Sequence, residues 1–335
     1  MRFILLFLVV VLLLISKNSK KSSFLFVIFS ALLLILFSTF RQYISNGAYA
    51  GNDYFSYNNW FNLIENLKLS VFNDFLFNIL MLIIKRYFNS FIFFLFVVAI
   101  FQIYAIYKFA YENSDDYFYC IYVFLAFGIY DLGLSAIRQF IALSFFLLSF
   151  KQIKDKKFFK YFIYIILASM FHSSAIILLL VYPFINVNIS IKKKIFLLIF
   201  MGIAFTFFIH NGLYERFLIN YIPGYIYKYE NIGSELNSNY TVLLISLLLI
   251  IADYFLLSKK RMSRSYNDTI YCYILLLCLF SYLATLHATL GRTLVYFMPS
   301  VSLMVPNMFL NIKEGDGRKI GKVVLFIIFL LIFIL

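Results

Sequence analysis

Long apolar runs recur along this chain, and basic clusters separate them. Nineteen of the 29 Lys and Arg residues fall in five short groups: Lys17, Lys20 and Lys21; Lys151, Lys154, Lys156, Lys157 and Lys160; Lys192 to Lys194; Lys259, Lys260, Arg261 and Arg264; and Lys313, Arg318, Lys319 and Lys322. Lys and Arg gather in the cytoplasmic loops of membrane proteins, so the clusters mark one side. A chain with 64% hydrophobic and 13% charged residues has too much apolar surface for a soluble core, and the bilayer must act as its solvent. The net charge of +14 then reads as orientation and contact with anionic headgroups, with no nucleic-acid partner implied. Cys120, Cys272 and Cys278 lie in apolar runs without the number or spacing of a disulfide framework or a zinc site.

Spanning a bilayer takes about 20 apolar residues as a helix. The first run, Phe3 to Ile15, has the length of a signal sequence, but its basic cluster follows it and no small-residue cleavage site appears, so it reads as a span. Further spans are expected at 22–40, 90–110, 117–133, 136–150, 158–171, 173–188, 195–210, 240–257, 268–286, 292–310 and 321–335. These runs are too long for barrel strands and lack their alternation. The expectation is an all-α polytopic membrane protein of about eleven or twelve transmembrane helices, one domain over 1–335. With the clusters inside, the segments 41–89 and 211–239 and a short turn at 286–291 lie outside. Within the first, Val71 to Ile84 is apolar but too short to cross, and suits an interfacial or re-entrant helix near 71–84. The second carries Tyr214, Tyr221, Tyr225, Tyr227, Tyr229 and Tyr240 around Pro223 and Gly224. Such tyrosines usually anchor headgroups, and the same rings can stack on sugars.

Polar residues that bear on chemistry fall at the outer ends of the runs. Arg41 ends a span and precedes Gly51-Asn52-Asp53-Tyr54-Phe55-Ser56-Tyr57; Arg138-Gln139 follow a turn with Asp131, Gly133 and Ser135; His172-Ser173-Ser174 sit between two spans; His210, Glu215 and Arg216 open the tyrosine-rich segment; His287 precedes Gly291-Arg292. A solitary outer arginine ordinarily snorkels to lipid phosphate. Arg138 is flanked by Ala136-Ile137 and Phe140-Ile141-Ala142, which places its guanidinium at the hydrophobic boundary, where its fork of donors suits a diphosphate. His172 is either a helix-end hydrogen-bonding residue or a general base that takes a proton from a hydroxyl near neutral pH. No HExxH or DxD-like spacing appears, and neither a metal nor another cofactor is expected.

Four of these motifs in this order, the early Arg with Gly-Asn-Asp-Tyr and Tyr57, Ile137-Arg138-Gln139-Phe140-Ile141-Ala142, Phe171-His172-Ser173-Ser174-Ala175, and Gly291-Arg292 before an aromatic span, resemble the EpsG-like branch of the Wzy-type bacterial polysaccharide polymerases. The resemblance covers nearly the whole chain. It implies a GT-C-like glycosyltransferase of the bacterial inner membrane, acting at its outer face on undecaprenyl-diphosphate-linked oligosaccharides, with membrane lipid as surroundings and a chain-length regulator protein as a further partner such polymerases can take. By position, Arg41, Asp53, Arg138, His172 and Arg292 match family motif residues. Ser173 stands where many relatives have Pro.

The chemistry expected of such a site agrees with the residues. Diphosphate is a good leaving group, so a donor bond needs cationic clamping more than an acid. Arg138 and Arg292 are expected to hold the diphosphate, Arg41 to assist, and His172, with Asp53 as the second choice, to take the acceptor proton. Two other classes use the same spans: a lipid-linked glycan transporter or flippase, which ordinarily needs ionisable residues or broken helices near mid-membrane, and an O-antigen ligase or membrane acyltransferase, which differs in its acceptor.

Overall fold

Inside a bilayer a backbone N–H or C=O cannot turn to water, so each apolar segment must satisfy its hydrogen bonds along itself. The computed structural model of the chain describes residues 2–18, 23–44, 53–64, 74–221, 236–257 and 264–310, and among these are sixteen α-helices, one 3-10 segment and no strand. In order they are α1 (Arg2–Asn18), α2 (Ser23–Ile44), α3 (Tyr54–Leu63), α4 (Phe75–Phe88), α5 (Phe91–Asn113), α6 (Tyr117–Ala126), α7 (Ile129–Ser135), α8 (Ile137–Lys154) and α9 (Phe158–Phe171). After the 3-10 segment Ser173–Leu180 come α10 (Val181–Asn186), α11 (Ile191–His210), α12 (Leu213–Tyr221), α13 (Leu236–Leu257), α14 (Arg264–Leu286), α15 (Ala288–Leu294) and α16 (Pro299–Leu310). This is an all-α polytopic membrane protein.

Among the described residues, four stretches suffice by length and composition to cross a membrane: Phe24–Gln42, Phe91–Asn113, Ile191–His210 and Asp268–Leu286. Three runs expected as single spans are broken into shorter elements. The 117–133 run bends by 53° between α6 and α7, where Gly128 takes a left-handed φ of 75° that a side chain would strain. The run at 173–188 starts as 3-10 helix before α10, and 292–310 divides into α15 and α16. The expected span at 321–335, most of the cluster at 259–264, the cluster at 313–322, residues 45–52 and 65–73, and Pro223, Gly224, Tyr225, Tyr227 and Tyr229 lie outside the described residues.

Lipid as solvent shows in what the helices expose. On α11, Phe196, Phe200, Ile203 and Phe207 form an outward stripe at helical spacing, each more than 60% exposed. Such a stripe in water would be an association site. Since tails are as apolar as leucine, helices here are joined by close packing and by polar links rather than by water exclusion.

The chain packs as two units, one within residues 1–179 and one within 180–312. In the first, α5 and α8 pack together at the centre; α2 lies on α5, α9 on α8, and α4 on both α5 and α9. Ser16 to Tyr117, Ser30 to Tyr107 and the Tyr130 hydroxyl to the Leu34 carbonyl tie α1 to α6, α2 to α5 and α7 to α2 at 3.2, 2.8 and 2.8 Å. In the second unit α14 is central, packed by α10, α11, α13, α15 and α16. There Thr206 meets the Tyr282 hydroxyl at 2.8 Å, and the Asn239 amide donates to the Ala284 carbonyl at 3.1 Å.

Candidate active site

Two short helices between α2 and α5, α3 and α4, build the floor of the site. α3 buries Tyr54, Tyr57 and Phe61, spaced to fall on one face, and leaves Phe55, Ser56 and Asn59 exposed. Its last carbonyls are closed from outside: the Lys85 ammonium donates to Asn62 O at 2.6 Å and Ile64 O at 2.9 Å, a cation where the helix dipole favours one. α4 buries Phe77, Met81 and Ile84 and ends at Asn89, whose left-handed backbone sends its N–H to Ile84 O and Lys85 O. These faces interlock with Phe91 and Phe94 of α5 and Ile137 and Ile141 of α8 in one aromatic-rich cluster. The short apolar run read as interfacial thus has its greasy face buried in protein.

At the head of α4 stands Asp74, with φ 50° and ψ 47° in the left-handed region, a conformation that costs about 1 kcal/mol and that Asp tolerates better than most. A residue there normally caps its helix, a bond worth about 1 kcal/mol. Asp74 makes no such bond. Its carboxylate turns instead to Arg138 Nη1 through Oδ2, and through Oδ1 to His172 Nδ1 at 3.6 Å. The three side chains are 8%, 24% and 13% exposed for Asp74, Arg138 and His172. Burial pushes the Asp74 carboxyl upward, but the contact with His172 and the charge of Arg138 outweigh it and hold the group below the usual carboxylate range.

Arg138 is held by neighbours on several sides and keeps an exposed edge. It lies in the first turn of α8, whose approach to α7 is possible because residue 133 is glycine: a Cβ there would sit 2.9 Å from the Phe140 ring. Its Nε donates to the Tyr57 hydroxyl at 3.3 Å. The guanidinium carbon lies 5.1, 5.8 and 6.0 Å from the ring centres of Trp60, Tyr57 and Phe77, within cation–π range. His172 ends α9: its N–H donates to Ala168 O at 2.9 Å, and its carbonyl accepts from Ala175 N at 3.0 Å to start the 3-10 segment. Ser173 supports that turn without the ring of a proline.

The other expected site residues are placed differently. Arg41 is 1% exposed; it donates to Ser38 O at 2.5 Å and Leu134 O at 3.0 Å and lies 5.3 Å from the Tyr54 ring centre. It therefore braces α2 against α7 and sits under the same helix, α3, whose Tyr57 lies beneath Arg138. Asp53 is exposed at the head of α3 and makes no side-chain cap bond. Arg292 belongs to the second unit, on α15, just over one turn beyond His287. His287 Nδ1 accepts from Thr289 N at 3.3 Å and meets Thr289 Oγ1 at 2.8 Å, which in turn meets the Tyr214 hydroxyl at 2.9 Å. No group of three or more His, Cys, Asp and Glu is placed to hold a metal among the described residues.

Sequence reasoning brought Arg138 and His172 forward and missed Asp74, Trp60 and the bond to the Tyr57 phenol. The signal for Asp74 was a single carboxylate inside an apolar run, which is costly unless a cation meets it. Trp60 is the only tryptophan of the chain, though nothing in its spacing points to Arg138.

Searches of curated proteins and of solved structures give no match. The family comparison does: residues 46–335 match the EpsG family. That match takes in every residue of the Asp74 cluster, and with it the chain belongs to the EpsG family, whose members are polysaccharide polymerases.

Proposed function

We propose that the chain is a membrane glycosyltransferase that lengthens a polysaccharide by moving a glycan from an undecaprenyl-diphosphate donor onto the terminal sugar of another lipid-linked repeat unit. The reaction runs at the outer face of the bacterial inner membrane in a GT-C-like architecture. The convergence of the partly exposed Arg138 and His172 on the one Asp74 carboxylate is the observation that supports this reading most. The acceptor hydroxyl oxygen attacks the anomeric carbon, its proton passes to His172, and the bond from that carbon to the diphosphate oxygen breaks with its electron pair. Arg138 stabilises the charge that gathers on the leaving diphosphate. Its fork and its rigid aromatic bed suit a planar, directed contact with phosphate oxygens. Arg292 is assigned to diphosphate binding and Asp53 to the acceptor side, both from the family motif alone. Arg41, turned to backbone carbonyls, supports α3 from behind.

Purified protein in detergent, given lipid-linked repeat units, should elongate them, which a flippase does not do. His172→Ala and Arg138→Ala should insert normally and leave single repeats. Wild-type chain lengths from both variants would overturn the assignment, and glycan moved only to a lipid A core acceptor would make the protein a ligase.

A further inference from the structure

We propose that Asp74 is the positioning residue of this site: its carboxylate holds His172 with the proton on Nδ1, so that Nε2 is the nitrogen that takes the acceptor proton. The inference rests on the polymerase reading and deepens it. Asp74 stands at a helix start in a left-handed backbone conformation, makes no capping bond, and turns one oxygen into hydrogen-bond contact with Arg138 and the other toward His172 Nδ1, 3.6 Å away. Local rules broken together at one residue mark a position held for function.

An imidazole whose Nδ1 faces a carboxylate keeps its proton there and presents an Nε2 lone pair, and the carboxylate stabilises the imidazolium formed when the acceptor proton arrives. In the transfer step the hydroxyl proton goes to Nε2, the new carbon–oxygen bond forms as the bond to diphosphate breaks, and His172 leaves the step doubly protonated against an ionised Asp74. Arg138 is shared in time. While it pairs with Asp74 the pocket is close to neutral; once the donor's diphosphate engages the guanidinium, the whole charge of Asp74 faces His172. Donor binding thus raises the basicity of the imidazole that takes the acceptor's proton.

Among the described residues, the groups that titrate or carry charge around Asp74 are few. α8 contributes Arg138, α3 contributes Tyr57, and the half of α5 from Phe91 to Gln102 contributes none. On α9, Tyr161 is turned away to Leu178 O at 2.5 Å, and Lys160 and Tyr164 lie two or more turns before His172. On α4, Lys85, Arg86 and Tyr87 lie at the far end.

The test measures elongation by Asp74→Asn, which keeps the shape and removes the charge. Its kcat should fall by about 10²–10⁴-fold, the range for a disabled general base, while KM for the lipid-linked donor stays level or falls because a competitor for Arg138 is gone. The acidic limb of its kcat profile should move down by about one pH unit. A kcat within about threefold of wild type, or a lowered kcat with an unmoved limb, overturns the inference.

A second measurement does not need activity. Diethyl pyrocarbonate reacts with neutral imidazole, so the pH midpoint of His172 modification, read by mass spectrometry against exposed His210, should be lower in Asp74→Asn than in wild type. If the single variant misfolds because Arg138 is left buried without its carboxylate, the comparison is made between Arg138→Gln and Arg138→Gln/Asp74→Asn. Equal midpoints overturn the inference. Normal elongation by His172→Ala would sink the polymerase assignment of His172 and leave this midpoint shift standing, so the two failures are distinguishable.

Discussion

His172 and His287 both stand at helix boundaries, His172 closing α9 and His287 opening α15, and their surroundings give them opposite chemistry. His172 Nδ1 lies 3.6 Å from the Asp74 carboxylate, a group that accepts when ionised, and on the positioning proposed for Asp74 the proton sits on Nδ1 and Nε2 is the basic nitrogen. His287 Nδ1 accepts a backbone N–H from Thr289, a group that can only donate, so Nδ1 holds the lone pair and Nε2 carries the proton. Burial also pushes the His287 imidazole below its ordinary value, with Glu215 opposing. One ring is set up to receive a proton; the other is a neutral cap. What separates them is the polarity of a single neighbour.

The largest effect should come from exchanging each ring for alanine. His172→Ala should lower elongation by about 10²–10⁴-fold, with normal insertion and normal donor KM. His287→Ala should lose a cap worth about 1 kcal/mol and keep kcat within a few-fold. Initial rates of repeat addition on purified variants check both, and equal losses would erase the distinction between the two histidines.

Arg138→Lys comes next. Lysine keeps the charge against Asp74 but lacks the planar fork and the fit over Trp60 and Tyr57, so KM for the lipid-linked donor should rise about tenfold with kcat less affected. A donor titration checks it. If kcat collapses while KM holds, Arg138 serves the base rather than the diphosphate.

How much of this was legible beforehand differs between fold and site. Helix class and membrane setting follow from run length and the absence of alternation, and α9 begins and ends where the run at 158–171 does. The breaks were harder. Gly128 bends the α6–α7 run through a backbone sign that composition does not carry, and the 3-10 start after His172 is a local choice among equally apolar residues. In the site, Arg138 and His172 stood out because charge at a hydrophobic boundary is costly. Asp74 did not, because its partners are 64 and 98 residues away in sequence, and only packing of α4 on α9 brings them together. Arg41 looked like Arg138 in sequence, but it is buried and turned to the Ser38 and Leu134 carbonyls, where Arg138 meets a carboxylate and keeps an exposed edge.

Acid should part the two regions. Both groups have depressed values in the folded chain, so each contributes stability above its ordinary value and loses it as pH falls through the folded one. For His287 that window opens below 6.5; for Asp74 it opens only below 3.8. Hydrogen exchange corrected for intrinsic rates should therefore show the start of α15 loosening first, with the head of α4 protected until the more acidic window. Simultaneous loss at both places would mean that neither titration governs its own region.

The smallest effect concerns the floor beneath Arg138. Lys85→Met removes both bonds to the end of α3 and keeps most of the apolar stem, so it should cost about 1 kcal/mol and lower the midpoint of thermal unfolding by about 2 °C. Because Tyr57 and Trp60 reach Arg138 from α3, a looser α3 should raise donor KM about twofold with kcat unchanged, whereas the His287 region should not respond. If kcat falls with KM intact, α3 acts on His172 instead, and the aromatic bed belongs to the base rather than to the guanidinium.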